Sequence, residues 1–218
     1  MNDLRSLTER IDTEIAGFQK SIEQFQDTAK SAYEAREARF RDVFVPAANR
    51  VVELIRPRLQ VLVDRFKDRV NVKPVVTEHL REVEMRFESA VAQIDLKFSL
   101  THDMDVKNLF LDRRLNILPI LMKFDERSSL TMPLDKIDEG RIAEWFDDRV
   151  VNFVQIMKEL HQNNYYLKGH LVTDPIAGVQ MPKYAAKTTL ELDGKTYYFI
   201  SDETRREFEK QRAAAVKK

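Results

Sequence analysis

Residues 174–208 read DPIAGVQMPKYAAKTTLELDGKTYYFISDETRREF. Asp193-Gly194 lies between two runs of strand character, and Gly readily takes φ > 0, so the pair marks a two-residue hairpin loop. With that loop, Leu192 faces Lys195, Leu190 faces Tyr197 and Thr188 faces Phe199. Leu190, Leu192, Tyr197 and Phe199 then share one face, and Thr189, Glu191, Thr196 and Tyr198 share the more polar one. Ser201 follows as an N-cap. Asp202 and Glu203 come next, in a first turn where the helix dipole favours acid. Thr204 and Phe208, four apart, lie on one helix face and point back at the hairpin.

This loop, hairpin and helix resemble the YHS domain family. The family pattern is D-P-V-C-G-M, then G-K-x-Y-Y-F-C-S, then a second Cys and a Phe on the following helix. Asp174, Pro175, Gly178, Gly194, Tyr197, Tyr198, Phe199 and Phe208 match it. The family cysteines fall at Ala177, Ile200 and Thr204 here. Thiolates are what the resemblance offers to zinc or cuprous copper, and neither Ala nor Ile can replace them, while a Thr hydroxyl is a poor ligand. A metal-free, structural version of the unit is therefore expected, with no cofactor. A unit of about 40 residues without metal or disulfide rarely holds itself together. It is expected to dock on the rest of the chain, with Ala177 and Ile200 as apolar filler.

The rest of the chain sets wider bounds. Lys+Arg and Asp+Glu number 36 each in 218 residues. That balance argues against a nucleic-acid partner, since nonspecific polyanion affinity rests on excess positive charge. The absence of cysteine excludes disulfides, thiolate metal sites and cysteine nucleophiles, and fits a cytoplasmic location. The start Met1-Asn2-Asp3-Leu4-Arg5 lacks the apolar run of a secretory signal. No window approaches the roughly 20 apolar residues of a membrane span. Only five glycines, against abundant Glu, Arg, Lys, Ala and Leu, point to a helix-rich α+β fold.

Residues 1–44 predict one long amphipathic helix. Leu4, Ile11, Ile15, Phe18, Ile22, Phe25, Ala29 and Ala32 step at near-heptad intervals, a coiled-coil-like seam. Two readings stay open. The helix packs on its own chain, which the bulky phenylalanines favour, or it forms a seam with a second copy or a protein partner. Pro46 opens a second helix, which Pro57 should kink or break. Its other face mixes basic and acidic residues, the pattern of a solvated surface. Asn71–Pro74 reads as a break, and Val76, Leu80, Val83, Phe87 and Val91 as the apolar face of a third helix over 75–92.

Ile94, Leu96, Phe98 and Leu100 alternate with polar residues, the signature of a half-buried strand. Val106–Leu111, Leu115–Phe124 and Leu130–Leu134 predict three further strands, with Pro119 marking an edge or bulge. Asp112-Arg113-Arg114 and Asp125–Ser129 read as turns. Asp138 opens a helix to His161 whose apolar face carries Trp145 and covers the meander. Residues 213–218 read as a frayed tail. Three regions result: a helical part at 1–92, a small α+β part at 93–168 and the YHS-like unit at 169–218.

Catalytic patterns are weak. The histidines, at 79, 102, 161 and 170, form no helical metal pair. His161, His170 and Asp174 are the one candidate hard-ligand metal site. P-loop, Rossmann and nucleophile-elbow patterns are absent. The expected function is a non-catalytic interaction or scaffold protein that associates through its N-terminal helix. The alternatives are a metal or small-ligand sensor and an accessory subunit or enzyme of unrecognised type.

Overall fold

A computed structural model describes residues 2–216. The chain begins with α1 (Asn2–Arg39), a π turn (Phe40–Phe44) and α2 (Val45–Phe66). Arg39 and Val45, which flank the π turn, are both helical, so the three segments form one unbroken rod. The expected new start at Pro46 is thus corrected. Pro46 has no N–H to give to Asp42, and the ladder slips by one residue just before it, with Val45 N donating to Phe40 O. The slip brings Phe40 and Phe44, four apart, into the core. Pro57 does not break α2 either. Arg58 Nη1 donates to Leu54 O at 2.8 Å, one residue from the carbonyl that Pro57 leaves free.

Five strands follow: β1 (Val70–Val76), β2 (Arg81–Phe87), β3 (Gln93–His102), β4 (Asn108–Leu118) and β5 (Arg127–Pro133). They pair antiparallel in chain order as a meander. The expected third helix over 75–92 is therefore overturned, and so is the break at 71–74. Val83, Met85 and Phe87 alternate with Glu84 and Arg86, and that two-residue period won over the looser helical spacing. Pro74 is accommodated because β1 is an edge strand. The boundary read at residue 92 falls between two strands of one sheet.

A second correction lies in β4. Asp112-Arg113-Arg114 is not a turn, because the strand runs straight through it. Its core-facing position is filled by an arginine where the pattern demanded an apolar residue. Residues 119–126 form the connection instead, and Arg127–Ser129 belong to β5. Val106 lies in the loop before β4, buried and at φ 55°.

α3 (Glu139–Gln162) starts as expected, with Asp138 Oδ1 accepting from Arg141 N at 2.9 Å. α2 and α3 cover one face of the sheet. The Phe66 ring stands 4.8 Å from Phe87, Phe153 4.6 Å from Phe87, and Phe146 4.4 Å from Phe98. The other face carries ion pairs such as Arg86–Asp95 at 2.7 Å and Lys97–Glu82 at 3.1 Å. The result is an α+β protein built as one two-layer core. No helix among the described residues is long and apolar enough to cross a membrane.

Past α3 come the short α4 (Asn164–Leu167), the β6/β7 pair (Leu171–Thr173 with Gln180–Pro182), the β8/β9 hairpin (Thr188–Leu192 with Lys195–Phe199) and α5 (Asp202–Val216). The hairpin register is the expected one, Leu192 opposite Lys195 and Thr188 opposite Phe199. Asp193 and Gly194 both have positive φ, 54° and 72°, as a type I′ turn requires. The tail expected to fray from 213 stays helical to Val216, and residues 217–218 lie outside the described part.

Candidate functional site

Two features stand out as places where this chain meets other chemistry: the C-terminal unit and the long free helix.

In the C-terminal unit the organising group is Asp174, whose side chain is fully buried. Its Oδ1 accepts from Ile176 N at 2.8 Å and from Ala177 N at 3.0 Å. Its Oδ2 accepts from Ile200 N at 2.9 Å and from the Thr204 hydroxyl at 2.8 Å. One carboxylate thus ties the loop, the end of the hairpin and the start of α5. Gly178, at φ 66°, turns the loop so that its N–H reaches Asp174 O at 2.9 Å. Burial pushes the Asp174 carboxyl up, but the four hydrogen bonds outweigh it and hold it below the usual carboxylate range.

Ala177, Ile200 and Thr204, the positions of the resembled family's cysteines, all converge on this carboxylate. They do so through two backbone N–H groups and one hydroxyl. Thr204 Oγ1 also lies 3.0 Å from Ser201 O, so its single proton stands between two acceptors, the carboxylate the nearer. The expectation that Ala177 and Ile200 serve as apolar filler is corrected. Both are exposed, Ile200 at 44%, because each gives only its backbone N–H to the buried group and its Cβ points outward. The unit's apolar interior is Met181, Phe199 and Phe208, all buried outside the main core cluster. Tyr197 completes it, its ring 4.7 Å from Phe208.

Contact with the two-layer core runs through few groups. Tyr184 OH donates to His161 O at 2.6 Å, and the two rings stand 5.5 Å apart. On α4, Tyr166 is buried in the main core, its hydroxyl donating to Pro119 O at 2.8 Å.

The candidate metal residues do not assemble. His161 sits with Nδ1 2.7 Å from Met157 O and Nε2 3.2 Å from Ser89 Oγ. Asp174 spends its oxygens on the four donors above. Among the described residues no group of three or more His, Asp or Glu side chains could hold a metal ion.

The free helix is α1, 38 residues long, about 57 Å at 1.5 Å per residue. Leu4, Ile11, Ile15, Phe18, Ile22 and Phe25 are 72%, 49%, 50%, 66%, 40% and 74% exposed. The reading in which this stripe packs on its own chain is overturned. The π turn aims α1 past the sheet, and the helix first meets the core at Phe40. Its root is clamped there. Arg39 Nε donates to Val106 O at 3.1 Å, and Nη2 meets both Asp135 oxygens at 3.1 and 3.2 Å.

His79 and His102 meet at the same root, although nothing in the sequence linked them. They lie 23 residues apart, and the β2–β3 pairing brings them together. His102 Nδ1 is 2.7 Å from the Asp103 carbonyl oxygen, which can only accept, so in the neutral ring that nitrogen carries the proton. Nε2 then accepts from His79 Nδ1–H at 3.0 Å. Both rings pack on Phe40, and His102 also on Phe44.

In comparison with known proteins, no family model, no curated protein and no solved structure matches this chain.

Proposed function

We propose that this chain is a non-catalytic scaffold that self-associates through α1 and carries a cysteine-free, YHS-like unit at the other end. The observation that carries the reading is the apolar stripe of α1, left in water along four heptads. Thr8, Ile15, Ile22 and Ala29 occupy one set of seam positions, and Leu4, Ile11, Phe18, Phe25 and Ala32 the other. The two sets alternate by three and four residues, the spacing of a coiled-coil seam. Burying a Leu, Ile or Phe is worth about 1.5–3 kcal/mol. Twelve such side chains in a pair, on average somewhat more than half exposed on the lone helix, give about 10–20 kcal/mol gross. That is enough to offset the roughly 4–15 kcal/mol that association costs.

The C-terminal unit supports the non-catalytic part of the reading. Its most buried polar group is occupied by the unit's own donors, and the three positions where the resembled family carries thiols present an N–H, an N–H and a hydroxyl to it. Asp174 then acts as an internal staple in place of a metal.

Multi-angle light scattering on the full chain beside a fragment starting at Tyr33, which removes the seam but keeps Arg39, Phe40 and Phe44 in place, tests the scaffold reading. A dimer that becomes a monomer on truncation is the expected result. A full-length monomer at tens of micromolar removes the reading.

A further inference from the structure

The core is not evenly covered. α2 lies over β2 and β3, and β1 extends beyond it. Val72 and Val76 on β1 are 39% and 68% exposed, although they point to the same side as the buried core. Between that strand and α2 runs an open slot of about 330 Å³. Ile55, Leu59 and Val63 wall it on α2, Val72 and Val83 on the sheet, and Phe98 closes its floor. The volume falls at the lower end of the range of small-molecule sites, about 300–1,000 Å³. Water in so apolar a slot finds few partners, so an apolar occupant displaces it at a gain.

The charged groups along the slot are mostly basic. Arg56 and Arg81 line it. Arg56 is paired with Glu53 at 3.0 Å, both side chains well exposed, so the pair is weak and exchangeable. Arg81 rests Nη1 against backbone carbonyls of Thr77 and Leu80 and has no carboxylate partner among the described residues. The one acid along the slot, Glu82, alternates to the opposite sheet face and is held 3.1 Å from Lys97 Nζ.

We infer that this slot binds the hydrocarbon chain of a fatty-acid-type carboxylate, with its headgroup on Arg81 and Arg56. A helix of a partner protein is too bulky for the volume, and an uncharged or cationic amphiphile leaves the Arg81 guanidinium without a counter-charge. The site is separate from α1 and from the C-terminal unit, and it does not depend on the scaffold reading.

Displacement of a fluorescent fatty-acid probe from the full-length protein tests it. Dodecanoate should displace the probe saturably, one per chain, and dodecyltrimethylammonium should not at tenfold higher concentration. Leu59→Trp fills the slot and should weaken dodecanoate at least about tenfold; Val72→Trp, at a more exposed wall, does the same if Leu59→Trp misfolds. Arg81→Gln should weaken dodecanoate about tenfold and leave dodecanol unchanged, since a charge-assisted hydrogen bond is worth about that factor. Any of three results overturns the proposal: no saturable displacement in wild type, unchanged affinity in both Trp variants, or displacement by a peptide of residues 4–32 in place of dodecanoate.

Discussion

α1 and the C-terminal unit break opposite rules of protein interiors. The seam of α1 leaves six large apolar side chains in water, and the C-terminal unit takes a carboxylate out of it. The difference lies in what each has at hand. Asp174 has four donors within 3.0 Å, all from its own unit, and a buried charge with its hydrogen bonds complete is tolerated. The α1 stripe meets no apolar surface among the described residues, and that exposure is what the scaffold proposal rests on. One end of the molecule is closed by its own chemistry and the other is open.

The open end gives the largest expected effect. Ile15→Asp with Ile22→Asp places charge at two neighbouring seam layers without touching the sheet. By light scattering the double variant should be monomeric where the proposed wild-type dimer is not, with the melting of the sheet domain unchanged. If the variant stays dimeric, the seam is not where the copies meet.

The closed end gives the next. Asp174→Asn keeps one acceptor and turns an NH₂ group toward donors that need an acceptor. Stability of the C-terminal unit should fall by about 3 kcal/mol, from the lost charge-assisted bonds and the orphaned N–H. The single Trp, Trp145, lies on α3 and reports the sheet domain, whereas Tyr184, Tyr197 and Tyr198, three of the six tyrosines, report the C-terminal unit, and Tyr166, in the main core, follows Trp145. Chemical denaturation followed by both probes should show the tyrosine signal move and the tryptophan signal stay. Coincident shifts would mean that the two parts unfold as one, and that the Tyr184–His161 junction is stronger than its few contacts suggest.

Acid separates the ends in the same way. Asp174 titrates lower in the folded chain than in the unfolded one, so on acidification the unfolded chain binds the proton first. The stability it contributes is whole above the ordinary carboxylate range and is lost as pH falls through its folded value. Asp103, held by Lys107 N, Asn108 N and the Asn108 amide, shifts in the same direction at the root of α1. The comparison that matters is therefore wild type against Asp174→Asn. The tyrosine-reported acid transition should flatten in the variant, and the tryptophan-reported one should not. A wild-type slope retained in the variant would assign the acid sensitivity to other carboxylates.

How much of this could be read from residues alone follows the range of the interactions. The hairpin at Asp193-Gly194, the N-cap at Asp138 and the alternation in β3 are local, and the sequence carried each to its register. The heptads of α1 were plain, but whether they meet their own chain depends on a π turn, and only the packing of Phe40 and Phe44 shows that turn. The His79–His102 contact needs two strands to pair first. Asp174 was visible as a motif residue, yet its role is invisible in one dimension, because its donors are backbone groups of residues up to 26 apart and a hydroxyl 30 away. The apolar slot follows from β1 overhanging α2, a fact of sheet width.

Arg113 is where the sequence misled most, and it offers the smallest effect. It is 1% exposed between Leu111 and Leu115 on the core face. Nη1 donates to Asp125 O at 2.6 Å and Nη2 to Asn152 Oδ1 at 3.2 Å, while Nε has no partner among the described residues. Burial and the neighbouring Arg149 both lower its pKa, and Asp125 raises it less. A charge held this way contributes little net stability, because its desolvation offsets its hydrogen bonds. Arg113→Met, which keeps the volume and removes the charge, should change the sheet domain's stability by less than about 1 kcal/mol, whereas Arg113→Ala should cost about 3 kcal/mol through the cavity it leaves. If Met costs as much as Ala in urea unfolding followed by Trp145, the guanidinium's bonds to the Asp125 carbonyl and to Asn152 hold the 119–126 connection in place, and Arg113 belongs with Asp174 as a second internal staple.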